Sequence, residues 1–179
     1  FRPSDIHKTP YVRGSQSAVV TGPAGEEIHC DEHGRVKDQF HWDRDGRGDD
    51  NSSCWLRVAS SWAGDGYGSR VIPRVGMEVV VSFWEGCPDK PYVSGCVVNT
   101  ANIPPCPLPA NKTRSVFKTL TYPGGQGSNE LRIDDRKGAE QIFIQAERDW
   151  EQAIKNKQTI SVGAERHDTV TANSYTELK

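Results

Sequence analysis

Residues 146–178 read AERDWEQA-IKNKQTIS-VGAERHDT-VTANSYTE-L, and the spacing of apolar residues here decides the fold. Ala146, Ile154, Val162, Val170 and Leu178 recur every eight residues, separated by the polar stretches Glu147–Ala153, Lys155–Ser161, Gly163–Thr169 and Thr171–Glu177. Eight is a multiple of the strand period of two, so in an extended chain these side chains all point to one side. On a helix the same interval turns through about 800°, so successive positions drift by about 80° and the stripe smears. The ladder predicts repeated strand-like units, each giving little more than one anchor to an apolar interior. The plainer alternative is a polar surface helix, or a disordered tail with apolar residues placed by chance. So thin a stripe builds no core within one chain. The repeats need neighbours, either more repeats or other copies of the chain.

Working outward, 179 residues allow one domain with an appendage or two small domains. Hydrophobic content of 35% and a mean hydropathy of -0.68 fit a small core joined to a solvated extension. A formal net charge of -2 gives no reason to expect a polyanion partner. No apolar run approaches membrane-spanning length, and Phe1-Arg2-Pro3-Ser4-Asp5 lacks the shape of a signal peptide. The first residue is not Met and Lys179 falls inside the repeat, which predicts a piece of a longer protein. The five cysteines (Cys30, Cys54, Cys87, Cys96, Cys106) are odd in number and contain no C-x-x-C. Isolated thiols in a reducing compartment are expected rather than a disulfide framework or a Cys-rich zinc knuckle.

Residues 1–15, punctuated by Pro and Gly, read as linker. Gln16–Thr21 reads as a strand stopped by Gly22-Pro23-Ala24-Gly25, and Glu27–Cys30 as a second short one. In Arg35–Trp42 the alternation puts Val36, Phe40 and Trp42 on one face, with Asp38 a polar misfit among them. Asp43–Ser53 is charged and reads as a solvent loop. Cys54–Ala59 reads as a core strand with Cys54, Leu56 and Val58 together, and Met77–Trp84 as the clearest strand, with Met77, Val79, Val81 and Phe83 on one face. The turn Glu85–Pro91 returns the chain through Tyr92–Val98 as a hairpin. Short strands without a convincing helix over 16–98 predict a small Greek-key barrel. Ile103–Pro109 holds four of the eleven prolines and predicts a stiff, extended connector. Tyr122–Gly127 reads as a mobile loop, and Glu130–Asp134 and Ala139–Ala146 as paired strands leading into the ladder.

The motifs Gly22-Pro23-Ala24-Gly25-Glu26-Glu27-Ile28, Asp31-Glu32-His33-Gly34-Arg35-Val36-Lys37, Gln39-Phe40-His41-Trp42-Asp43 and Ser53-Cys54-Trp55-Leu56-Arg57-Val58 resemble VgrG, the spike family of bacterial type VI secretion. So do Ile72–Val81, Pro107–Thr113 and Asn129-Glu130-Leu131-Arg132, in family order from roughly Gly14 onward. Departures are mild: Asp38 stands where Val is usual, and Cys87 where Asp is usual. The resemblance implies an all-β chain, an OB-fold Greek-key barrel followed by an intertwined triple-stranded β-helix shared by a homotrimer. Residues 1–15 would link from a hub region absent here, 16–103 form the OB domain, 104–112 the Pro-rich connector and 113–179 the start of the needle. The trimer-core candidates are then Ala146, Ile154, Val162, Val170 and Leu178. The implied role is mechanical: a spike at the tip of a contractile tail tube that pierces a target envelope and delivers effectors. Partners would be the tail tube and baseplate through the hub, an effector or tip protein at the distal end, and transiently the target membrane. It would assemble in the bacterial cytoplasm and be injected on firing.

Other chemistries have thinner support. Cys30, His33 and His41 fit no standard zinc spacing, so no metal is expected, and no cofactor or catalytic residue either. No Gly-x-Ser-x-Gly, His-Glu-x-x-His or P-loop is present, and Gly124-Gly125-Gln126-Gly127 lacks the Lys-Ser/Thr of a phosphate loop. A cell-wall hydrolase would need two carboxylates in an enclosed cleft, for which no inserted domain is visible. An OB-fold binding module for a protein effector or nucleic acid is the stronger alternative, with Trp42, Trp55, Trp62 and Trp84 available for stacking. Asp43, Asp45, Asp49 and Asp50 would repel phosphate, so nucleic acid is not expected, and Trp42 and Trp55 are expected to pack the barrel or a subunit contact.

Overall fold

Val79 and Val81 alternate with Glu78 and Val80, and in the computed structural model, which describes residues 9–175, they sit at the centre of a closed barrel. Its strands are β1 (Gln16–Thr21), β2 (Lys37–Phe40), β3 (Arg57–Val58), β4 (Glu78–Phe83) and β5 (Pro91–Val97), in the order β2-β1-β4-β5-β3. Neighbours are antiparallel except β3 and β5, which run parallel. Val36 and Leu56 close the cylinder by exchanging backbone hydrogen bonds of 3.0 and 2.8 Å just outside β2 and β3. This connectivity is that of a five-stranded Greek-key barrel of the OB type. Closure removes the free edges that an open sheet of this size would expose.

The core is small and aliphatic: Ala18, Val20, Val36, Leu56, Val79, Val81 and Val93, flanked by Phe40, Val58, Ile72, Met77 and Phe83. One carboxylate shares it. Asp38 pairs with Val20 across β1 and β2 and is fully buried. Gly34, at φ 68, makes the turn into β2, where Asp31 accepts hydrogen bonds from the His33 and Arg35 backbone N–H groups. β1 and the β4–β5 hairpin lie where the sequence predicts them, and the interval 16–98 carries no helix beyond the single 3₁₀ turn Trp84–Gly86.

A second sheet follows the barrel: β6 (Arg114–Lys118), β7 (Glu130–Asp134) and β8 (Gln141–Gln145), consecutive and antiparallel. The chain divides into two compact units, 1–147 and 148–179. The second unit has neither helix nor paired strand among its described residues. Its backbone donors and acceptors find no ladder within their own chain.

Several expectations are corrected. Glu27–Cys30 is not a strand. The core strand expected over Cys54–Ala59 is the two residues of β3, with Leu56 buried and Cys54 exposed, because pairing to β5 covers only Arg57 and Val58. Trp42 does not join Val36 and Asp38 inside: β2 ends at Phe40, a turn begins at His41, and the Trp42 ring lies outside, stacked on Phe40. The Pro-rich connector is not extended throughout. Asn111 and Lys112 donate back to Pro107 and Pro109, curling its second half into turns. β6 is an element the sequence reading does not contain.

Candidate functional site: an uncovered apolar sheet face

Cross-strand register sorts β6–β8 into two faces. On one, Ser115, Ile133 and Ile142 lie side by side, and beneath them Phe117, Leu131 and Ile144. On the other are Arg114, Asp134 and Gln141, then Val116, Arg132 and Phe143, then Lys118, Glu130 and Gln145. Aliphatic and aromatic cross-strand neighbours of this kind stabilise a sheet only when something covers them. Nothing among the described residues does: Phe117 is 58% exposed and Ile142 71%. A contiguous apolar face of this kind marks an interaction surface.

The opposite face is charged and shielded by its own ion pairs: the Asp134 and Glu130 side chains are only 7% and 10% exposed. Asp134 accepts hydrogen bonds from Thr113 Oγ1 (2.7 Å) and Arg114 Nε (2.8 Å), and Arg132 donates to Glu130 at 2.7 Å. The Arg132 guanidinium also lies over the Phe143 ring, 4.4 Å from its centroid. The Arg114 and Thr113 hydrogen bonds hold the Asp134 carboxyl down at about 2, against 3.8 in an unstructured chain. A lowered folded-state pKa gives stability that is complete above the unfolded value and lost as pH falls toward the folded one. The β6–β8 sheet is therefore expected to weaken between about pH 4 and 2. In Asp134→Asn that acid dependence should vanish, read by amide exchange at Arg132 and Phe143 across this range.

Ala146 follows β8 directly, two residues beyond Ile144, and is half-buried. Ile154, Val162 and Val170 are exposed at 44%, 49% and 59%, and a single chain brings them into no common core. Leu178 lies outside the described residues, as do residues 1–8 of the N-terminal linker. The sequence reading lacks Phe117, Leu131, Ile133, Ile142 and Ile144 as site residues. Their signal was present, since Leu131/Ile133 and Ile142/Ile144 alternate with polar neighbours, but alternation does not say whether a second layer exists.

The remaining candidates are scattered. Among the described residues no three His, Cys, Asp or Glu side chains converge on a point, Cys30, His33 and His41 included. A concavity of about 720 Å³ beside the β3–β4 loop is lined by Ser60, Trp62, Tyr67 and Arg70 among others, and no carboxylate lines it. It lacks the paired acids of glycoside hydrolysis. Trp55 is half-buried outside the core, between the His29 ring and the Lys37 ammonium, and Trp84 stacks on Tyr92.

The chain thus carries a closed OB-type barrel followed by a three-stranded sheet with an uncovered apolar face. Residues 19–97 match the type VI secretion system/phage-baseplate injector OB domain, and 115–179 the bacteriophage T4 gp5 C-terminal trimerisation domain. Among curated relatives, the Pseudomonas aeruginosa type VI secretion system spike protein VgrG4b is 68% identical over the whole chain and 22% of its own length. From the same organism, VgrG5 is 63% identical over the whole chain and 23% of its length, and VgrG1b 49% over 95% of the chain and 23% of its length. The chain belongs to the VgrG spike-protein family, and it spans less than a quarter of the length of these relatives.

Proposed function

We propose that this chain is the neck of a cell-puncturing spike, the part in which three barrels hand over to one shared shaft. The observation that carries the reading is the uncovered face of Phe117, Leu131, Ile133, Ile142 and Ile144; the proposed ladder begins with Ala146, directly after β8. Three copies turned face to face would bury it, with Ile154, Val162, Val170 and Leu178 at the axis further along. Each fully buried side chain would contribute roughly 1.5–3 kcal/mol, multiplied by three per layer. The charged face, from Arg114 to Glu130, would stay on the outside with its carboxylates shielded by their own ion pairs, and strand pairing between chains would satisfy the backbone of 148–179. Domain limits follow: barrel over 16–103, connector over 104–112, shaft from 113.

The work is mechanical rather than enzymatic. A shaft whose chains are hydrogen-bonded to one another all the way round has no free edge and resists bending. In the whole protein it would sit at the tip of the type VI tail tube, joined to tube and baseplate through the preceding hub. It would carry an effector or tip protein distally and be driven through the target envelope. A nucleic-acid role is disfavoured by the acidic β2–β3 loop, where Asp43, Asp45, Asp49 and Asp50 meet any approaching phosphate with like charge. The test is the full-length spike carrying Ile142→Asp. Loss of effector delivery with the protein still expressed and folded supports the reading; undiminished delivery overturns it.

A further inference from the structure

The covalent path from β5 to β6 runs through residues 98–113, and one strand of chain between two bodies is a hinge. The structure contains a second attachment. The β6–β7 loop, residues 119–129, continues its ladder past the strands: Thr119 and Thr121 donate to Asn129 and Gly127, each at 2.9 Å. Its far end folds back against the barrel. Arg74 Nη2 donates to the Leu120 carbonyl at 2.6 Å, while Nη1 of the same guanidinium faces Glu27 Oε2 at 3.5 Å. Glu27 Oε1 accepts the Gly124 N–H at 2.5 Å, and the Tyr122 hydroxyl donates to Glu26 Oε2 at 2.9 Å.

We propose that Arg74, Glu26 and Glu27 are positioning residues that bracket the 119–129 loop to the barrel and so set the direction in which the shaft leaves it. Each end of the bracket is independently fixed. On the barrel side, Val75 N–H donates to the Glu27 carbonyl at 2.9 Å, tying the turn that carries both glutamates to the segment that carries Arg74. On the sheet side, Glu147 Oε2 accepts the Ser128 N–H at 2.9 Å, and the Glu147 N–H donates to Asn129 Oδ1 at 2.9 Å. Gly127 sits so close that a Cβ there would lie 2.3 Å from the Glu147 carboxyl carbon. The loop expected from its glycines to be mobile is thus held at both ends.

The chemistry suits orientation more than stability. Isolated exposed ion pairs contribute little. The planar fork of Arg, however, engages a carbonyl and a carboxylate at once in a fixed geometry that the point charge of Lys does not reproduce. Tyr122 registers the same environment: its hydroxyl is pushed up, first by the hydrogen bond to Glu26 and then by the charge of Glu26 and Glu27. Together with the covalent connector, the bracket turns a one-point hinge into a two-point mount. Repeated in three chains, it would keep three barrels coaxial with one shaft. This last step rests on the trimeric reading; the bracket within one chain does not.

The experiment is hydrogen exchange on the full chain, comparing wild type with Arg74→Ala and Glu27→Ala, with molecular mass measured on the same samples. Removing a charge-assisted hydrogen bond should speed exchange at Gly124 by about tenfold or more. Thr121 should follow, while Val20, Val79 and Arg132 keep their protection and the mass is unchanged. A merely stabilising role would instead raise exchange across barrel and loop together, and that result, or unchanged exchange at Gly124, overturns the proposal. A wild-type chain of monomeric mass would overturn the spike reading instead, and Gly124 would still report on the bracket.

Discussion

Leu131→Asp is expected to convert a trimer into a folded monomer. Leu131 lies mid-strand in β7, flanked by Phe117 on β6 and Ile144 on β8. In the single chain it is 44% exposed, so a carboxylate there costs the monomer little. In the trimer three such carboxylates would be pressed together without counter-ions. An uncompensated buried charge costs on the order of 3–5 kcal/mol, and here the cost recurs in each chain. Sedimentation should show the mass fall to that of one chain, while the barrel, which makes no use of this face, melts where it did. Gln141→Asp, on the charged face, should leave the mass unchanged. Val162→Asp should act in the same direction, because the proposed inward placement of Val162 would bring three like charges near the axis. If Val162→Asp kept both trimer mass and thermal stability, the inward assignment of the ladder would be wrong.

Asp38→Val is expected to stabilise the barrel at neutral pH. The Asp38 carboxyl is fully buried among aliphatic side chains, and neither of its oxygens has a hydrogen-bond partner among the described residues. Burial pushes its pKa up from 3.8 to about 7. Burial, and then the Asp38 charge, also push up the Cys96 thiol on β5. For an acid whose folded-state pKa is raised, the neutral form costs nothing extra below pH 3.8, where both states are protonated. As pH rises from there to about 7, the unfolded chain ionises and the folded one does not, so stability falls. Above that the cost is constant, roughly 4 kcal/mol from a shift of about three pH units. Valine removes it and supplies apolar contacts in its place. Thermal melts from pH 4 to 8 should show wild type losing stability with rising pH and Asp38→Val holding level. Parallel curves for the two proteins would show that Asp38 is solvated or paired in solution. The barrel and the β6–β8 sheet should thus respond oppositely to acid, because Asp38 lacks the partners that Asp134 has.

How much could be read from residues alone depended on whether a pattern carried its own boundary. β1 was legible because Gly22-Pro23 stops it, and β4 because Met77, Val79, Val81 and Phe83 alternate without interruption. The misfit at Asp38 was legible as well, since alternation put it inward with Val36 and the barrel holds it there. β3 was not, because its two paired residues depend on how far β5 runs beside it, which is a property of the closed barrel. β6 escaped notice because Arg114–Lys118 offers only Val116 and Phe117 as apolar residues, and they point to opposite faces. The turn within the connector arises from Asn111, whose side chain and backbone both donate to Pro107, and proline content alone does not reveal that. For the candidate site, the ladder predicts an apolar interior but says nothing of where it begins. The five residues that open it became visible only when the register of β6, β7 and β8 showed one face paired in charge and the other bare.

The described residues of one chain leave that face uncovered, and three copies would bury it against one another. Sedimentation equilibrium of the 179-residue chain at micromolar concentration tests it most directly, the chain being 19.8 kDa. A single species of three times that mass is expected, with the apolar face protected from exchange. A monomer that keeps its β6–β8 face exposed at these concentrations would contradict it.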